Sequence, residues 1–168
     1  GPLASFSMSE AVRHELDIAG WLHDCGKIAT PDHIMEKSTK LETIFDRIKY
    51  VDAKFEIISR DLKIAYQQKI ICAMKLQKPI EVQQFERLLD TELKQLALDR
   101  ALLQRVNVGG EFLGDAELEH IERIANKYQL VINDINTPLL SADEVENLTI
   151  RRGTLTEAER EVMKRHMD

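Results

Sequence analysis

The sequence predicts an all-α fold. Apolar residues recur at three- and four-residue spacing over most of the chain, Ser, Thr and Pro starts and Gly stops punctuate those runs, and no alternating strand of useful length appears. The expected architecture is a helical bundle in which a long antiparallel hairpin stands beside shorter helices.

The elements follow in order. From Ser9 to Lys27, Val12, Leu16, Ala19 and Leu22, with Ile18 and Trp21 beside them, form one face that stops at Gly26. Thr30-Pro31-Asp32 supplies an N-cap, a proline at the first helical position and an early carboxylate, predicting a short helix to about Lys37. Ile44, Ile48, Val51, Phe55, Ile58, Leu62 and Ala65 alternate steps of four and three, a heptad stripe on a long helix from about Leu41 to Gln77. That stripe reads as an intramolecular core seam, with a homodimer through the long helix as the alternative. Lys78-Pro79 breaks the run. Pro79 to Val106 then carries Val82, Leu89, Leu93, Leu96 and Leu103 on a helix that packs antiparallel to the first.

After the loop Asn107 to Gly110, a third helix is expected from Asp115 to Ile132, with Leu118, Ile121, Ile124, Ala125 and Tyr128 on its apolar face. Residues 133–153 are less regular, although Ser141 with Glu144 has the form of a capping box that starts a short helix. Thr156 with Glu159 opens a last helix through Val162 and Met163 to His166.

Composition excludes several classes of function. The formal charge of −6 and interspersed charges of both signs argue against a DNA or RNA backbone binder. No apolar stretch approaches a membrane span, and no secretory leader pattern is present. Cys25 and Cys72 lack metal or disulfide spacing and fit a reducing compartment, so the expected localisation is cytoplasmic. Residues 1–8, GPLASFSM, read as a cloning scar, and the chain as a piece excised from a longer protein.

One stretch carries chemistry. WLHDCGKIATPDHI, Trp21 to Ile34, sets His23 beside Asp24 at a helix end, with Lys27 three residues on. Imidazole and carboxylate are ligands for divalent metals, a carboxylate can bridge two ions, and a nearby lysine offers a point charge to a phosphate oxygen. The stretch resembles the HD superfamily of metal-dependent phosphohydrolases, and its continuation resembles the HD-GYP branch. That branch runs HDIGKIxIPDxILxKPGKL directly into TxEEWxxMKxH. Here the first half is His23 to Ile34 followed by Lys37-Ser38-Thr39-Lys40-Leu41, and the second half is Gly153-Thr154-Leu155-Thr156-Glu157 through Met163-Lys164-Arg165-His166. Leu41 and Leu155 occupy the same motif position. Excising the chain between them brings His166 to about where the family places its next metal histidine.

The resemblance implies a domain division. Residues 9–41 begin the HD-GYP core, 42–152 are a helical insertion, and 153–168 continue the core to a metal-ligand histidine. It also implies a bacterial signal-transduction enzyme that hydrolyses cyclic di-GMP to pGpG or GMP with a divalent metal, iron or manganese. His23, Asp24 and His166 would be the metal ligands, with Asp24 the catalytic bridge and Lys27 the group that stabilises charge on the substrate phosphate.

The departures limit this chain. The family's earlier histidine and its later His-His-Glu and Asp-Gly-x-Gly-Tyr-Pro are absent, and His14 falls on the opposite side of its helix from His23. The chain alone is therefore expected to be inactive. The alternatives are a regulatory or dimerising helical module with a degenerate site, and another HD-superfamily nucleotide phosphohydrolase. Gly109-Gly110-Glu111-Phe112 resembles the diguanylate cyclase signature but reads as a loop between helices, and both His33 and His120 read as solvent-exposed.

Overall fold

The computed structural model describes residues 8–22, 25–77 and 81–165. It is all-α: among these residues there are seven α-helices, one short 3₁₀ segment and a two-stranded hairpin. The chain divides into two compact units, residues 1–36 with 157–168 and residues 37–156.

In the first unit, α1 (Glu10–Leu22) begins where the Ser9 hydroxyl accepts the Val12 N–H at 3.3 Å. It has no buried residue, and Leu16, Trp21 and Leu22 are all exposed. The helix ends five residues before Lys27, and the chain tightens into a 3₁₀ segment, Cys25–Ala29. A glycine at 26 costs about 1 kcal/mol in a helix interior, which favours such a break. Pro31 then precedes α2 (Asp32–Met35), which buries Ile34. The final helix, α7 (Glu157–Lys164), packs against α2 although the whole second unit separates them in sequence.

The second unit is built on the expected antiparallel hairpin, α3 (Ile48–Lys75) and α4 (Val82–Asn107). Val51, Phe55 and Ile58 of the heptad stripe are buried against Leu96, Leu103 and Val106. Polar pairs line the same contact: Arg100 donates to Asp52 at 2.8 Å and to Glu56 at 2.7 Å, and the Tyr66 hydroxyl lies 3.1 Å from Glu92. The break foreseen at Lys78-Pro79 lies outside the described residues.

Both ends of the stripe depart from expectation. Ile44 is 96% exposed and Ala65 is exposed. The helix starts at Ile48 rather than near Leu41 because Asp46 accepts the Ile48 N–H at 3.0 Å, while its carboxylate also accepts Asn107 Nδ2 at 2.9 Å. This pairing holds residues 41–47 in a turn instead of a helical run.

The third helix, α5 (Asp115–Lys127), ends five residues early. The chain then turns into β1 (Gln129–Ile132) and β2 (Ile135–Pro138), antiparallel with Ile132 opposite Ile135. The expectation of no strand is corrected here. Asn133 and Asp134 both take the left-handed conformation, at φ 52° and 64°, which is the geometry of a two-residue type I′ hairpin. Tyr128 and Leu130 face the core, and the Phe55 and Tyr128 rings meet edge to face at 5.9 Å. Ser141 caps α6 (Ala142–Leu148) as its sequence foretold, accepting the Glu144 N–H at 3.2 Å while Glu144 accepts the Ser141 N–H at 2.8 Å.

Candidate functional site

Lys27 lies in the first unit. His23, Asp24 and His166 fall outside the described residues, so of the four residues assigned to chemistry only Lys27 is placed. It sits half-buried in the 3₁₀ segment, and its carbonyl accepts the Thr30 N–H at 2.9 Å. His33, in α2, is exposed as expected. Two imidazoles and a carboxylate form a donor set suited to a first-row divalent metal. Among the described residues no group of three or more His, Cys, Asp or Glu is placed to hold one.

What the described residues do position is the closure of the second unit. The start and finish of the second unit meet. Thr154 Oγ1 donates to the Lys37 carbonyl at 3.1 Å, and Lys37 Nζ donates to Asn147 Oδ1 at 2.9 Å. Lys40 is fully buried, and its ammonium donates to the Leu148 and Ile150 carbonyls at 3.0 and 2.7 Å, at the C-terminal end of α6. A cation there answers the unpaired carbonyls and negative dipole end of the helix. Burial nonetheless pushes the Lys40 pKa down to about 8, against the opposing pull of the Glu117 charge.

Asn107 closes the junction from α4. Its carbonyl accepts the Lys40 N–H and its side-chain oxygen accepts the Leu41 N–H, both at 2.8 Å. Gly109 follows at φ +70°, where a Cβ would stand 2.8 Å from Thr154 Cγ2 and 2.9 Å from the Gly153 carbonyl oxygen. The glycine pair is thus a loop, as expected, and its first member is required by this close approach.

A second polar centre went unread in the sequence. Asp99, on the core face of α4, is 2% exposed. Its Oδ1 accepts Gln95 Nε2 at 2.8 Å and lies 3.0 Å from His120 Nε2, while Oδ2 accepts the Tyr128 hydroxyl at 2.7 Å and Lys127 Nζ at 3.3 Å. Burial pushes the carboxyl up, but the hydrogen bonds from Tyr128, Gln95 and His120 and the Lys127 charge outweigh it and hold the pKa below the usual carboxylate range. Burial and the neighbouring carboxylate push the Tyr128 phenol well above its ordinary value. His120 is therefore not simply solvated. The spacing Leu96, Asp99, Leu103, which puts a carboxylate inside an apolar stripe, is the signal that could have found this centre.

No described helix is long and apolar enough to cross a membrane. Comparison with protein-family models, curated proteins and solved structures finds no match for the chain.

Proposed function

We propose that this chain is part of a bacterial HD-GYP phosphodiesterase that hydrolyses cyclic di-GMP, and that residues 42–152 are a helical insertion in its catalytic domain. The observation that carries the reading is connectivity. The outer parts of the two motif halves, through Glu36 and from Glu157, belong to one compact unit with α2 against α7, while their inner parts, residues 37–41 and 153–156, meet in the other unit, where Thr154 donates to the Lys37 carbonyl. An insertion into a continuous motif must bring its two ends together in this way, and the motif residues supply the chemistry.

In this reading His23, Asp24 and His166 hold a divalent iron or manganese centre, which polarises the phosphodiester and activates water when bound. Asp24 would supply the carboxylate ligand of that centre. Lys27 places an ammonium against the scissile phosphate, where negative charge builds. Its seat in the 3₁₀ segment directly after Asp24 keeps both groups on one short stretch of backbone.

The test is cyclic di-GMP hydrolysis by the natural protein that carries this sequence, supplied with ferrous iron or manganese. Asp24→Ala is expected to reduce turnover by at least about a thousandfold, as loss of a bridging ligand does, while helical circular dichroism is retained. The 168-residue chain alone is expected to give no turnover. A natural protein that hydrolyses nothing with either metal would overturn the reading in favour of a regulatory, protein-binding module.

A further inference from the structure

We propose that the cleft between α4 and α5 in the second unit is a binding site for a small phosphate-type oxyanion, held by Arg123, Lys127 and His120. The cleft has a volume of about 310 Å³ and is lined by Gln95 and Asp99 from α4 and by His120, Arg123, Ile124 and Lys127 from α5. The four α5 residues stand at spacings of three and four, so one helix face delivers them together. A cleft of this size accepts a phosphate group or a small phosphorylated molecule.

The charge arrangement selects the ligand. The one carboxylate of the cleft, Asp99, is 2% exposed, and both its oxygens are taken by Gln95, His120, Tyr128 and Lys127. It has no free lone-pair direction for an incoming cation, so a divalent metal finds no ligand set here. What remains toward the cleft is donor-rich. Arg123 makes no ion pair among the described residues, in contrast to Arg100, which is held by Asp52 and Glu56. A guanidinium fork matches two oxygens of a tetrahedral anion.

Asp99 acts here as a positioning residue. By taking His120 Nε2 at 3.0 Å it fixes the imidazole plane and leaves Nδ1 to accept the P–OH of a hydrogen phosphate, or to donate to its oxygen when the ring is protonated, and by accepting from Lys127 Nζ at 3.3 Å it keeps that ammonium at the cleft. Ile124 supplies an apolar floor beneath these donors. Asp99 thus presets His120 and Lys127, while the exposed Arg123 is ordered when the anion arrives.

The test is titration of inorganic phosphate into the 168-residue chain at constant ionic strength, read by calorimetry and by the histidine ring resonances. The expected result is saturable binding that moves the His120 resonances and leaves those of His14 and His33 in place. Arg123→Gln should weaken that binding about tenfold or more, the scale of one lost charge-assisted contact, and His120→Gln should weaken it with helical circular dichroism unchanged. Arg87→Gln, in a different surface hollow of α4, should leave it as it was. Absence of saturation up to about 10 mM, the weak limit for a specific small-ion site, would overturn the proposal. Equal affinity in Arg123→Gln and the unaltered chain, or citrate bound as tightly as phosphate, would overturn it too.

Discussion

Asp99 stands on an otherwise apolar face and would be a cost to the fold if its four partners were removed. A buried carboxylate is tolerated when its lone pairs are filled, and here two neutral donors, a histidine and a lysine fill them. Asp99→Ala should cost roughly 2–4 kcal/mol in urea unfolding, because it strands the Tyr128 hydroxyl in the core as well as deleting the bonds. The sign of the pH effect follows from the lowered folded-state pKa. The carboxylate's contribution is complete above its unfolded value near 3.8 and is lost as pH falls through the lower folded value. Asp99→Asn should therefore lose less stability between pH 5 and pH 2 than the unaltered chain. A variant whose acid limb matched the original would show that Asp99 is not the group responsible. Lys40 was not legible as a buried cap, since nothing near residue 40 announces the carbonyls of residues 148 and 150 that it meets.

At the scale of elements, periodicity located the helices and local chemistry decided where they stop. The seam of Val51, Phe55 and Ile58 was legible because a four-three alternation can only be one face of a helix. Its overextension to Ile44 failed because Asp46 pairs with Asn107, a contact between residues 61 apart that no local pattern encodes. The hairpin was missed for a different reason. Tyr128-Gln129-Leu130-Val131-Ile132 satisfies helical and strand spacing equally, and Asn133-Asp134 lacks the glycine that usually marks a type I′ turn. Because Asp134 pays steric strain at φ 64°, Asp134→Gly should stabilise the unit by about 1 kcal/mol, read as a raised thermal midpoint. A lowered midpoint would contradict the turn assignment. The Ser141 cap makes the complementary case: Ser141→Ala should cost about 1 kcal/mol, and a loss near zero would mean that α6 is held by packing alone.

For the whole molecule, the all-α fold and its long helical hairpin were readable because apolar spacing is a local property. The junction was not. Lys37, Lys40, Asn107, Gly109 and Thr154 come together only when the bundle of α3, α4, α5 and α6 has formed. That closure makes residues 37–156 a unit with its own core, joining Leu41, Phe55, Leu103, Ile121, Leu130 and Leu148, each almost wholly buried. The central claim is that this unit folds by itself, without support from the rest of the chain. The most direct measurement is thermal and urea unfolding of residues 37–156 alone, followed by circular dichroism over a range of protein concentrations. The account predicts strong helical signal and one cooperative transition at a midpoint independent of concentration, with Phe55→Ala costing about 3–5 kcal/mol as a core truncation does. A gradual, weakly helical melt would contradict it, and a midpoint that climbs with concentration would place the stabilising contacts of the unit between two chains instead.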